Sequence, residues 1–155
     1  MTDHVHPAAN GPALTRLAVQ ATLHCLTGCA IGEVLGMVIG TALGWSDTAT
    51  IVLAVALAFV FGYALTMLSV LRGGLSLGQA VRIALAADTL SILVMEIVDN
   101  AVILAVPGAM EVGLASWLFW ATLAFALGVA FVVTVPVNRW LIARGRGHAV
   151  VHEHH

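Results

Sequence analysis

Four apolar stretches, each more than twenty residues long, fill almost the whole of this 155-residue chain. They run over about 16–44, 49–71, 79–106 and 112–143. The breaks between them are Gly44-Trp45-Ser46-Asp47, Arg72-Gly73-Gly74 and Pro107-Gly108, clusters of turn-forming residues. A helix needs about 20 apolar residues to cross about 30 Å of hydrocarbon, and each stretch supplies them. None alternates apolar and polar residues with period two, so helices fit and barrel strands do not. Composition agrees: 61% of residues are hydrophobic and 9% charged, where soluble domains average about 45–50% and about 25%. Side chains this apolar cannot clothe a soluble globule. That excludes a soluble enzyme, a disordered tail and a secreted disulfide scaffold. The expected fold is all-α, an integral membrane four-helix bundle over 16–143. A polar N-terminal tail (1–15) precedes it and a His-rich tail (144–155) follows.

The basic residues orient the bundle. There is no lysine, and the six cations are Arg16, Arg72, Arg82, Arg139, Arg144 and Arg146. They fall before the first span, around the second connection and at the end of the fourth span. The other two connections carry Asp47 and Glu111 and no arginine. The positive-inside rule therefore predicts both termini in the cytoplasm. The expected partners are the lipid bilayer and a second copy or a larger membrane complex. No basic stripe suited to nucleic acid is present. Leu26-Thr27-Gly28-Cys29 resembles a lipoprotein cleavage box. However, Gln20 and His24 interrupt the segment and the apolar run continues past it, so the stretch is expected to stay as a span.

Gly28, Gly32, Gly36, Gly40 and Gly44 recur every four residues in the first span. Overlapping small-xxx-small units let another helix approach closely, so this ridge is expected to be a helix-packing face. One position after each of the first four glycines runs a second stripe. Together with Cys25 it reads Cys25, Cys29, Glu33, Met37 and Thr41. Residues four apart share a helix face, so two sulfurs, a carboxylate and a thioether line up, with His24 beside them. Two cysteines four apart on one helix are badly placed for a disulfide, which leaves free thiols or ligands.

The third span has a matching set: Asp88, Ser91, Met95, Glu96, Asp99 and Asn100. Ionisable groups in a membrane are costly and face inward, so each is a functional candidate. Glu33, Asp88, Glu96 and Asp99 have no arginine or lysine within the spans. Their charge must be met by protons, metal ions or hydrogen bonds. At 1.5 Å per residue, Cys25 and Asp88 lie about 10–14 Å into the bilayer, Glu33 and Glu96 about 22–25 Å, and Met37 and Asp99 about 28 Å. The expected ladder is Cys25 and His24 with Asp88, then Cys29, then Glu33 with Met95 and Glu96, then Met37 with Asp99.

The even spans are plainer. Trp117, Trp120 and Trp140 sit near span ends, where aromatic rings anchor at interfaces. Pro136 is expected to kink or end the fourth helix. Asn138-Arg139 beyond it is expected to cap the helix or contact headgroups. His4, His6, His148, His152, His154 and His155 in the tails are candidate metal collectors, since imidazole binds zinc, copper, nickel and iron.

The run His24-Cys25-Leu26-Thr27-Gly28-Cys29-Ala30-Ile31-Gly32-Glu33 resembles the signature of a family of small bacterial membrane proteins. So do Ala87-Asp88-Thr89-Leu90-Ser91, Met95-Glu96-Ile97-Val98-Asp99-Asn100 and Asn138-Arg139-Trp140-Leu141. That family is catalogued as a domain of unknown function, number four-three-nine-six. The resemblance spans about residues 16–150 and implies no activity.

The residues themselves favour binding or transport of a transition metal ion, copper first, with zinc or iron as alternatives. Cys25, Cys29, His24, Met37 and Met95 would be ligands, since thiolate and thioether select soft ions. Glu33, Asp88, Glu96, Asp99 and Asn100 would compensate charge or form an ion path. A proton or cation channel or carrier built on the carboxylates is one alternative. An accessory subunit that docks through the glycine ridge is another. An enzyme is not expected: no phosphate-binding loop, nucleophile motif or CxxCH haem box is present.

Overall fold

Three serines start three of the helices. The Ser46 side chain accepts a hydrogen bond from the Ala49 amide, Ser116 from Leu118, and Ser76 from Gln79 within a reciprocal capping box. Each supplies an acceptor to backbone N–H groups that have no partner inside the helix. The computed structural model describes residues 11–144 and consists of four helices, with no strand among those residues. They are α1 (Gly11–Leu43), α2 (Asp47–Arg72), α3 (Leu77–Ala105) and α4 (Trp117–Ala143). The tail histidines and Arg146 lie outside the described residues.

Consecutive helices pack side by side, and α4 returns onto α1. Helices α1 and α3 then face each other across the diagonal and touch along a narrower seam. Short connections make neighbours antiparallel, so α1 and α3 run the same way. Helices α1, α2 and α4 are long and apolar enough to cross a membrane. Helix α3 is of similar length, at 29 residues, but carries Arg82, Asp88, Glu96 and Asp99.

The closest approach is between α1 and α2, and the glycines permit it. A Cβ at Gly28 would meet the backbone of Gly62. One at Gly32 would meet Ala58, one at Gly36 Ala54, and one at Gly40 Thr50. The two helices therefore interlock through four-residue stripes running in opposite directions. The expected docking ridge is filled by the chain's own α2. Gly44 does not belong to it: its φ is 65° and a Cβ there would meet nothing within 4 Å. It ends α1 in a left-handed conformation that favours glycine.

Polar and apolar residues are distributed inside out. Val52, Val60, Ile97, Leu104, Phe125 and Val132 are among many large apolar side chains on the outside. Thr22, Glu33, Asp88, Ser91, Glu96, Asp99 and Asn138 are buried. Two helix starts differ from expectation, and the first is that α1 begins at Gly11 rather than at 16, inside the expected polar tail. Helix α4 starts at Trp117 rather than at 112, because Gly108 and Gly113, with φ of 78° and 68°, turn the chain twice first. Pro136 does not end α4, which runs on to Ala143. The proline only deprives the Val132 carbonyl of its helical donor.

Candidate ion-binding seam between α1 and α3

The α1 stripe turns toward α3 because the glycine stripe beside it is taken up by α2. Cys25 and Cys29 are 1% and 0% exposed, both as free thiols, and share one buried cluster with Met95, also 0% exposed. Ile92, Ala58 and Ala130 complete the apolar part of that cluster.

Cys25, Cys29 and Glu33 each meet a partner on α3. The Cys25 thiol donates to Asp88 Oδ1 at 3.8 Å and lies within reach of Ser91. Cys29 lies against the Glu96 carboxyl. The Glu33 carboxyl faces Asp99, with Glu96 nearby. Asn100 donates from Nδ2 to the Glu96 carbonyl at 2.9 Å and to Glu96 Oε2 at 3.4 Å.

The order of the rungs differs from expectation above the first. Cys29 lies against Glu96, which Glu33 also approaches, and Glu33, not Met37, faces Asp99. Depth alone does not set the pairing. The face each helix turns to its neighbour also counts, and α3 offers contacts at 88, 96 and 99 against 25, 29 and 33 on α1. Met37 is not beside the cysteines. It packs in a separate cluster with Val34, Met110, Leu114 and Phe119. His24 is partly buried next to Cys25 along α1.

Among the described residues, Glu33, Glu96 and Asp99 lie away from every arginine. Arg16, Arg72, Arg82, Arg139 and Arg144 are all exposed toward the helix ends. Glu33, Glu96 and Asp99 are each at most 3% exposed. With the carboxyls ionised, Glu33 Oε1, Glu96 Oε1 and both Asp99 oxygens are buried without a hydrogen-bond donor, and a proton on Glu33 or Asp99 would join that pair. Burying an ionised carboxylate without compensation is strongly unfavourable. These oxygens are poised to take a proton or a cation. Among the described residues, no three His, Cys, Asp or Glu side chains converge closely enough to hold a metal ion. The seam offers pairs, and a third soft donor near the thiols has to be Met95.

A hydrogen-bonded trio flanks the first rung. Asn138 Nδ2 donates to Thr22 Oγ1 at 2.9 Å, Ser91 Oγ donates to Asn138 Oδ1, and Thr22 Oγ1 donates to the Ala18 carbonyl at 2.7 Å. All three residues are fully buried, so the expected headgroup or capping role for Asn138 is wrong. The helix continues past Pro136 and turns Asn138 inward, where it joins α4 to α1 and α3. A sequence signal for this existed. Thr122, Ala126, Ala130, Thr134 and Asn138 recur every four residues, and all are buried. They form a small-residue face like the one on α1.

Over residues 16–147 the chain matches a family described as a domain of unknown function, DUF4396. No curated protein and no solved structure matches it.

Proposed function

We propose that this chain, which belongs to the DUF4396 family, is a carrier that binds a soft transition metal ion, copper(I) first, within the α1–α3 seam and passes it across a bacterial inner membrane. The observation that carries the reading is the single buried cluster of Cys25, Cys29 and Met95, with the Asp88 and Glu96 carboxyls against the two thiols. Thiolate and thioether donors select copper(I), which accepts low coordination numbers. Metal binding displaces thiol protons, and the adjacent carboxyls are placed to take them. All four helices are read as spans, α3 held by its three neighbours with its ionisable groups turned inward. Both termini lie in the cytoplasm on this reading, which puts all six arginines on that side.

A second reading has its own support. The unpartnered oxygens of Glu33 and Asp99 suit a proton or hard-cation path that ignores the thiols. The glycine ridge lends no support to an accessory docking role, because α2 covers it.

Liposome flux separates the two readings. The Cys25→Ser, Cys29→Ser variant is expected to lose copper(I) flux while keeping any proton leak. Copper flux that survives both substitutions overturns the metal reading in favour of the carboxylate path.

A further inference from the structure

We infer a second soft-ion site at the end of the bundle opposite the arginines, formed by Met37 and Met110 around a small cavity. The cavity is about 60 Å³ and is lined by Met37, Thr41, Asp47, Thr50 and Met110, among others. A volume of about 30 Å³ is one water's share of the liquid, so the space admits a bare ion with a solvent molecule or two. Its thioethers come from different parts of the chain: Met37 from α1 and Met110 from the connection between α3 and α4. Asp47, in the first turn of α2, adds a carboxylate, and the two threonines add hydroxyls.

Continuity with the seam makes this more than core filling by two methionines. Met37 and Thr41 extend the Cys25–Cys29–Glu33 stripe along the same face of α1. The cavity therefore begins one turn beyond Glu33 along α1. The connection that brings Met110 there turns at Gly108 and Gly113, the glycines that delay the start of α4. Two neutral sulfurs and one carboxylate suit a soft monovalent cation, copper(I) or silver(I). They are poor ligands for magnesium or calcium, which take oxygen donors. The site is a vestibule where the ion sheds its water before entering the seam or takes it up again after leaving. That role in passage rests on the carrier reading, whereas ion binding here does not.

The test uses the full chain in lipid nanodiscs with carbon-13 in the methionine methyls, titrated with silver(I). The five methionines are Met1, Met37, Met67, Met95 and Met110. The Met37 and Met110 signals are expected to move together along one saturating curve. Met37→Leu should abolish the Met110 shift, and Met110→Leu the Met37 shift; leucine keeps the volume, so the fold is retained. Both shifts should survive Cys25→Ser, Cys29→Ser, which should abolish the Met95 shift. Met37 and Met110 signals that stay fixed, or that move unchanged when the other residue is replaced, overturn the vestibule. If these two respond while Met95 does not, the vestibule stands and the sulfur site in the seam falls. If only Met95 responds, the reverse holds.

Discussion

Asn138 holds together three helices with one side chain. Its amide bonds Thr22 and Ser91, and Ser91 in turn lies next to Cys25. Removing the amide leaves two buried hydroxyls short of a partner, which costs about 1–3 kcal/mol. Asn138→Leu is expected to lower the thermal midpoint in detergent and to weaken metal retention. Thr22→Val should cost less on its own, and the two effects should be non-additive in a double-mutant cycle because they share one bond. At the same scale, Glu33→Gln and Asp99→Asn keep shape but cannot bind a cation through charge. Under the carrier reading they slow ion flux without removing metal from the thiols, which equilibrium loading and liposome flux measure separately. The candidate residues were legible at this scale, because ionisable and sulfur side chains stand out in an apolar run. Asn138 was not: an uncharged amide near a helix end reads as a cap, and only the course of α4 past Pro136 reveals where it points.

The helices themselves were written in the sequence, and their partners only partly. Turn clusters and apolar length predict four helices, and the structure adds the serine caps that start three of them. The glycine ridge predicted close packing without naming α2 as the neighbour. That neighbour follows once the second stripe is seen: Thr50, Ala54, Ala58, Gly62 and Thr66 are small residues every four positions, all buried. Paired with Gly28, Gly32, Gly36 and Gly40, they leave no room for an added carbon. Gly32→Ala is therefore expected to destabilise by about 1–3 kcal/mol, as overpacking does. Gly128 in α4 makes the contrast, since a Cβ there meets nothing within 4 Å. Gly128→Ala should stabilise by about 0.5–1 kcal/mol through backbone entropy. Unfolding of the two variants side by side measures both. Equal depth does not make contact, so spacing alone does not give the rungs between α1 and α3. Which residues meet across a diagonal depends on how each helix is rotated, and that is set by α2 and α4.

For the molecule as a whole, an apolar exterior around a core of thiols and carboxylates is the organising fact. It predicts slow alkylation: Cys25 and Cys29 in the folded chain should resist a water-soluble maleimide and react fully after unfolding. A reporter active only in the cytoplasm, fused to the C-terminus, should be active; activity of a periplasmic reporter there would reverse the orientation read from the arginines. The central claim is that the seam holds a soft metal ion through its thiols. Metal content after gentle purification under reducing conditions tests it most directly, measured for the full chain, a chain trimmed of its histidine-bearing tails, and Cys25→Ser, Cys29→Ser, each exposed to copper(I), zinc or iron(II). The account predicts near-stoichiometric copper that survives trimming and is lost in the cysteine variant. Copper lost with the tails, or retained without the cysteines, would contradict it.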